Sequence, residues 1–133
     1  MKRLIIAAAV VALAGCKSEA PAPEATATAE ATTAAATPMA ADGKPTPGNF
    51  KITTADGKIV MEEVKADGTY VDTIDGKVVE TGKWVQKSPT EYCYTKDGEG
   101  ATEVCNTEGV DAKGVWTSTN PEGKTATVER VEA

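Results

Sequence analysis

Residues 69–96 read TYVDTIDGKVVETGKWVQKSPTEYCYTK. Valine, isoleucine, threonine and aromatic residues dominate three short runs in this stretch. Such side chains pack well on a pleated surface and lose rotamer freedom in a helix. Asp75-Gly76 separates the first two runs, and Ser88-Pro89 separates the second from the third. Asp and Gly both tolerate positive φ, which a tight hairpin turn demands. The stretch therefore reads as three antiparallel strands, Thr69–Ile74, Lys77–Gln86 and Glu91–Lys96. In the third, Tyr92 and Tyr94 fall on one face and Cys93 on the other, because side chains alternate along a strand.

The same punctuation continues on both sides. Asp56-Gly57, Asp67-Gly68, Asp97-Gly98 and Pro121-Glu122-Gly123 mark further turns, at the spacings of roughly 8 to 13 residues that a meander needs. They bound five more runs: Asn49–Thr54, Lys58–Val64, Ala101–Thr107, Gly114–Thr119 and Lys124–Glu132. Phe50 and Ile52 share a face of the first, whereas facing in the last is ambiguous, with Val128 and Val131 on opposite sides. Leucine stands only at positions 4 and 13, so the core must be built from valine and aromatics. The expected fold class is all-β, a small antiparallel meander of about eight short strands that closes or nearly closes into a barrel after a disordered linker, because closure removes exposed strand edges. A domain of roughly 85 residues with about twenty large apolar side chains has a core that is marginal by itself. An interior filled by side chains is therefore expected in preference to a roomy ligand cavity.

Upstream the composition changes abruptly. Residues 17–48 are almost entirely Ala, Thr, Pro and Glu, and Met39 is the one sizeable apolar side chain. Such a segment cannot bury enough apolar surface to offset the entropy lost on ordering. Its alanine content leaves a helix over 25–36 as the competing reading. Before it, Lys2 and Arg3 precede an apolar run from Leu4 to Ala14. That run is short of the ~20 residues that span a hydrocarbon core, and suits the central region of a signal peptide.

The run ends in Leu13-Ala14-Gly15-Cys16, which resembles the lipobox of bacterial lipoproteins. The resemblance implies cleavage between Gly15 and Cys16 and a diacylglycerol on the Cys16 sulfur. The lipid bilayer is then a partner through acylated Cys16, since two or three acyl chains anchor stably where one binds marginally. Residues 1–15 become a signal peptide, 16–48 a lipidated N-terminus and linker, and 49–133 a small β-domain. Lys17 in place of Asp after the cysteine implies, in that family, the outer membrane facing the periplasm. A secretory leader followed by a chance cysteine is the rival reading.

With Cys16 assigned to lipid, Cys93 and Cys105 remain. If Gly98-Glu99-Gly100 forms the loop between their strands, Asp97 faces Ala101 and Cys93 faces Cys105, within bridging range. An exported chain meets an oxidising compartment, so a structural disulfide is expected. A redox pair and a metal site are the alternatives. A redox motif is more often Cys-x-x-Cys, and two thiolates without histidine coordinate zinc poorly.

The chain holds 20 acidic and 14 basic residues and no histidine. The first count disfavours nucleic acid, which needs clustered Lys and Arg. The second removes Ser-His-Asp triads, Cys-His pairs and histidine-ligated metals. Glu62 and Glu63 are adjacent and so point to opposite faces of a strand, which makes them a poor acid–base pair. Asp72 and Asp75 near a turn are candidates for calcium, although no EF-hand loop is present. The serines, at 18, 88 and 118, stand in no nucleophile motif. Trp84, Trp116 and Tyr70 are read as core residues, with an exposed glycan-binding strip as the alternative.

Gly68-Thr69-Tyr70, Gly82-Lys83-Trp84 and Gly114-Val115-Trp116 each place glycine two residues before an aromatic. Gly-x-Trp is similar to the first strand of lipocalins and to small lipocalin-like domains of alphaproteobacterial lipoproteins. The local alternative is glycine relieving crowding on a curved strand. The leading functional expectation is a non-enzymatic, membrane-anchored envelope lipoprotein, without cofactor, metal or catalytic residues, whose β-domain contacts an envelope protein or peptidoglycan. The alternative is a lipocalin-like carrier of a small apolar ligand. An enzyme working through carboxylates alone comes third.

Overall fold

The computed structural model describes residues 36–132. The expected leader, its expected cleavage at Gly15–Cys16 and the expected lipid site at Cys16 lie outside the described residues. Eight strands follow in order: β1 (Gly48–Thr53), β2 (Ile59–Val64), β3 (Thr69–Ile74), β4 (Lys77–Ser88), β5 (Glu91–Lys96), β6 (Val104–Val110), β7 (Trp116–Thr119) and β8 (Thr125–Val131). Each pairs antiparallel with the next, and β1 closes on β8 to complete a barrel without free edges. No helix among the described residues is long and apolar enough to cross a membrane.

The turn chemistry explains the tight connections. Asp75 and Gly76 have φ of 51° and 74°, and Ile74 pairs directly with Lys77. That is the two-residue hairpin whose twist matches the flanking strands. At Asp56-Gly57 and Asp67-Gly68 the glycine alone has positive φ. There the Gly57 and Gly68 amides donate to the carbonyls of Thr54 and Lys65.

One hairpin differs from its expected form. The β5–β6 register is as expected, but its ladder ends at Tyr94 opposite Val104, leaving a wider loop than three residues. β6 also runs on to Val110, where it pairs with β7.

Residues 38–47 belong to the stretch that composition assigns to the linker, yet they pack across one end of the barrel. Met39 bridges Pro45, and the Thr46 amide donates to the Pro38 carbonyl at 2.8 Å. Ala40 and Thr46 are buried, and the Thr46 hydroxyl donates to the Gln86 side chain at 3.2 Å. Arg130 clamps this arm, donating to Asp42 at 2.8 and 3.1 Å while lying 4.7 Å above the Phe50 ring. Burial alone would raise the Asp42 pKa, but the hydrogen bonds from Arg130 and the Lys44 amide outweigh it and hold the carboxyl below its usual range. Such a seal gives no periodic signal, because its inward residues are small.

The turns β2–β3, β4–β5 and β6–β7 share the end that the arm closes. Phe50, Val64, Tyr70, Trp84, Tyr92, Trp116 and Val128 form the core with Ala40. Phe50 meets Trp116 edge to face at 5.5 Å, and Trp84 stacks on Tyr92 at 6.3 Å, arrangements that add to area burial. The Trp84 indole donates to the Lys65 carbonyl at 2.8 Å, so its one polar atom is satisfied.

Candidate functional site

Strand alternation aims a different set of side chains into the rest of the barrel. Val64 faces inward at the end of β2, so Glu62 does too. Register then fixes the neighbours. Glu62 stands opposite Asp72 on β3, and Asp72 stands opposite Glu80 on β4. Three carboxylates thus form one row across three adjacent strands. On the far wall Glu108 of β6 faces Ser118 of β7. All four carboxylates line a single cavity of about 730 Å³, which extends from Ala40 and Thr46 at the sealed end to the β1–β2 and β7–β8 turns at the other. The exposed Asp56, Lys58 and Lys124 stand at that second end.

The cavity corrects the expectation of a solid interior. Inward positions that a filled barrel would give to bulky apolar groups hold Ser118, Ala126 and carboxylates instead. These do not reach across to fill the barrel as rings would.

Two of the acids have partners. The Tyr70 hydroxyl donates to Glu80 at 2.9 Å, and Lys96 pairs with the same carboxylate at 2.5 Å. Glu62 accepts from the Tyr92 hydroxyl at 3.1 Å. The others are left short. Asp72 Oδ1, Glu108 Oε2, Asn106 Oδ1 and Trp116 Nε1 are buried without a hydrogen-bond partner. Glu108 and Trp116 are each only 7% exposed.

This environment disfavours charge. Burial, then the nearby Asp72, pushes Glu62 up to about 8, against the opposing hydrogen bond from Tyr92. Burial and the Glu80 charge raise Asp72 to about 7. Burial raises Glu108 to about 7, against the opposing influence of the polar groups of Gln86 and Ser118 beside it. Burial, then the Glu62 charge, raises the Tyr92 hydroxyl as well, which keeps it a donor. Carboxylates placed directly opposite one another on a strand pair cost stability, and so does an unsatisfied buried oxygen. Clusters of this kind concentrate at functional sites.

The residues singled out by sequence fall elsewhere. Cys93 and Cys105 are cross-strand partners joined by a disulfide, and neither lines the cavity. With Glu91 they form the one group of three metal-type ligands close enough to share an ion among the described residues, but sulfurs in a disulfide offer no thiolate. Glu62 and Glu63 do point to opposite faces. Asp72 joins the interior row, whereas Asp75 is an exposed turn residue, so the two do not make a shared cation site.

The three Gly-x-aromatic pairings have separate causes. Gly68 and Gly114 are turn residues at positive φ. Gly82 lies opposite Tyr70, where a Cβ would come within 2.2 Å of the Thr95 carbonyl oxygen and 2.7 Å of the tyrosine ring.

The row Glu62, Asp72, Glu80 was missed by sequence reading, and only half of its signal was present. A hairpin centred on Asp67 pairs Glu62 with Asp72 by the counting that pairs the cysteines. The same counting from Asp75-Gly76 sets Asp72 against Val79, and a register shift between Asp72 and Thr73 moves its partner to Glu80.

No family model, no curated protein and no solved structure matches the chain.

Proposed function

We propose that this chain is a non-catalytic, lipid-anchored envelope protein whose barrel holds a small molecule. The observation that carries this reading is the cavity of about 730 Å³, within the size range of small-molecule sites, sealed by the arm at one end. A few convergent polar groups over an apolar floor are the usual composition of such sites. Anchoring rests on the lipobox-like Leu13-Ala14-Gly15-Cys16. The carboxylate row distinguishes this reading from a carrier of purely apolar ligands.

The test is native mass spectrometry of the full chain extracted from bacterial membranes. A Cys16 N-terminus carrying acyl mass, together with a small-molecule adduct that Ala126→Trp abolishes by filling the cavity, is the expected result. A chain that carries no small molecule and takes up none from an envelope extract would overturn the binding role. An unmodified Cys16 in the soluble fraction would overturn the anchoring.

A second reading, an interaction module for another envelope protein, is favoured by one observation. Ile59 and Met61 on β2, and Val78 and Val79 on β4, are exposed at the outer wall on the two strands that flank β3. Crosslinking in intact cells separates the two, since a partner lost on Val79→Lys with the small-molecule adduct retained assigns the outer wall to a protein.

A further inference from the structure

We infer that the cavity takes an organic cation, a primary amine or guanidinium carried on an apolar body, with its N–H groups directed at Glu62, Asp72 and Glu108. This deepens the small-molecule reading above and rests on it.

Three observations converge. The first is the sign of what is missing. Of the four buried polar atoms without partners, three are acceptors, Asp72 Oδ1, Asn106 Oδ1 and Glu108 Oε2, and one is a donor, Trp116 Nε1. An occupant that satisfies them must bring mainly donors. An ammonium offers three donors and a guanidinium five, with no acceptor to spare. An anion would add acceptors to a wall already short of donors.

The second is the charge ledger of the wall. Glu62, Asp72, Glu80 and Glu108 line the cavity, and Lys96 neutralises one of them by pairing with Glu80. Arg130 is occupied by Asp42 at the sealed end. Of the rim lysines, Lys124 is paired with Glu122 at 2.9 Å, and Lys58 stands beside Asp56 at the far rim. That leaves Glu62, Asp72 and Glu108 without a cationic partner at the centre. Tyr70, Tyr92 and Tyr94 stand nearby, and aromatic faces attract cations as well.

The third is the spacing. Among the described residues no three of these carboxylates come close enough to share one ion; that proximity occurs only at Glu91, Cys93 and Cys105. The acids are distributed over strands β2, β3 and β6, and Phe50, Val64 and Val128 line the same cavity. A compact divalent ion would reach too few of them at once. A cation with an apolar body reaches the acids with its head and covers the floor with the rest.

Protonation couples to this occupancy. In the empty barrel Glu62, Asp72 and Glu108 hold protons into the neutral range because burial and their mutual charges raise them. The groups facing them are Tyr70 and Glu80, Tyr92, Tyr94 and Lys96, with Asp42 and Arg130 at the sealed end and Asp56, Lys58 and Lys124 at the rim. A bound cation favours the ionised acids, so binding expels protons and strengthens as pH rises.

The probes are three fluorophores that share one body: dansylcadaverine, a primary amine; dansylamide, which is neutral; and dansylglycine, a carboxylate. Each is titrated into the full lipidated chain in nanodiscs, with empty nanodiscs as baseline. The expected result is dansylcadaverine bound at least ~10-fold tighter than dansylamide at pH 8, with the preference shrinking toward pH 6 and protons released on binding. Glu62→Gln and Glu108→Gln, which keep size and an acceptor, should weaken the amine and leave dansylamide unchanged. Folding of each variant is read from its intact Cys93–Cys105 bridge and circular dichroism. Should either variant fail to fold, the wild-type pH profile carries the test by itself.

Equal binding of amine and neutral probe would overturn the cation inference while leaving a small-molecule cavity. Preference for dansylglycine would overturn it as well. No binding of any probe, with no adduct on the native chain, would remove the small-molecule reading and the inference together.

Discussion

The two halves of the barrel interior are built on opposite principles. Toward the sealed end, Phe50, Val64, Tyr70, Trp84 and Trp116 pack ring against ring, with Ala40 closing the bottom. Beyond them, the row Glu62, Asp72, Glu80 borders open space, with Glu108 lining the same cavity nearer the seal, beside Gln86 and Asp42. The first half lowers the free energy of the fold through area burial and aromatic contact. The second raises it through like charges and unsatisfied oxygens. A chain with so small a core carries the second half only at the expense of the first. On the proposed reading, the difference assigns ligand binding to the acidic half and stability to the apolar one.

Substitutions should therefore act with opposite signs in the two halves. The largest effect belongs to the sealed end. Trp84→Ala removes the stack on Tyr92 and the indole hydrogen bond to Lys65, and is expected to cost about 3–5 kcal/mol in urea unfolding. A loss below about 1 kcal/mol would show that this half is not the core.

A smaller effect of opposite sign belongs to the acids. In the folded barrel Glu62 titrates at about 8 and Asp72 and Glu108 at about 7, against ordinary values of 4.5 for Glu and 3.8 for Asp. Between the two sets of values the folded state binds more protons than the unfolded one. Their contribution is fully present below the unfolded values and is lost as pH rises through the folded ones. The melting midpoint of the empty barrel should therefore fall from about pH 5 to about pH 8. Glu62→Gln should flatten that fall and raise the midpoint at the upper end. A midpoint that rises over this interval would contradict the burial of these groups.

The smallest effect tests the seal. Asp42→Asn leaves Arg130 without its charged partner and should cost about 1 kcal/mol at neutral pH, since the pair is partly exposed. The Asp42 carboxyl titrates below its usual value, so its contribution is present above the unfolded pKa and disappears on acidification through the folded one. The loss in the variant should shrink accordingly at low pH.

Much of the fold was legible because β-hairpins write their register into turns. Asp75-Gly76 set the turn end of β3 against β4, as far as Thr73 opposite Val78, and the centre of the β5–β6 hairpin placed Cys93 opposite Cys105. The arm was not legible, since Ala40 and Thr46 resemble their neighbours in composition and become core only when the barrel end exists to receive them. The acids were overlooked for a related reason. Glu62 and Asp72 look like ordinary surface carboxylates when each is judged beside its neighbours in sequence. Their meaning comes from the cross-strand row, which exists only after two registers and the shift between Asp72 and Thr73 are combined.

The central claim is that the acidic half is kept for a ligand at a cost to the fold. The direct measurement is dansylcadaverine affinity at pH 8 for the wild type and for Glu62→Gln/Glu108→Gln, on samples whose melting midpoints are recorded together. The predicted outcome is a double variant that melts higher than the wild type and binds the amine at least ~10-fold more weakly. A variant that melts lower and binds the amine unchanged would show that these carboxylates serve the fold and not a ligand.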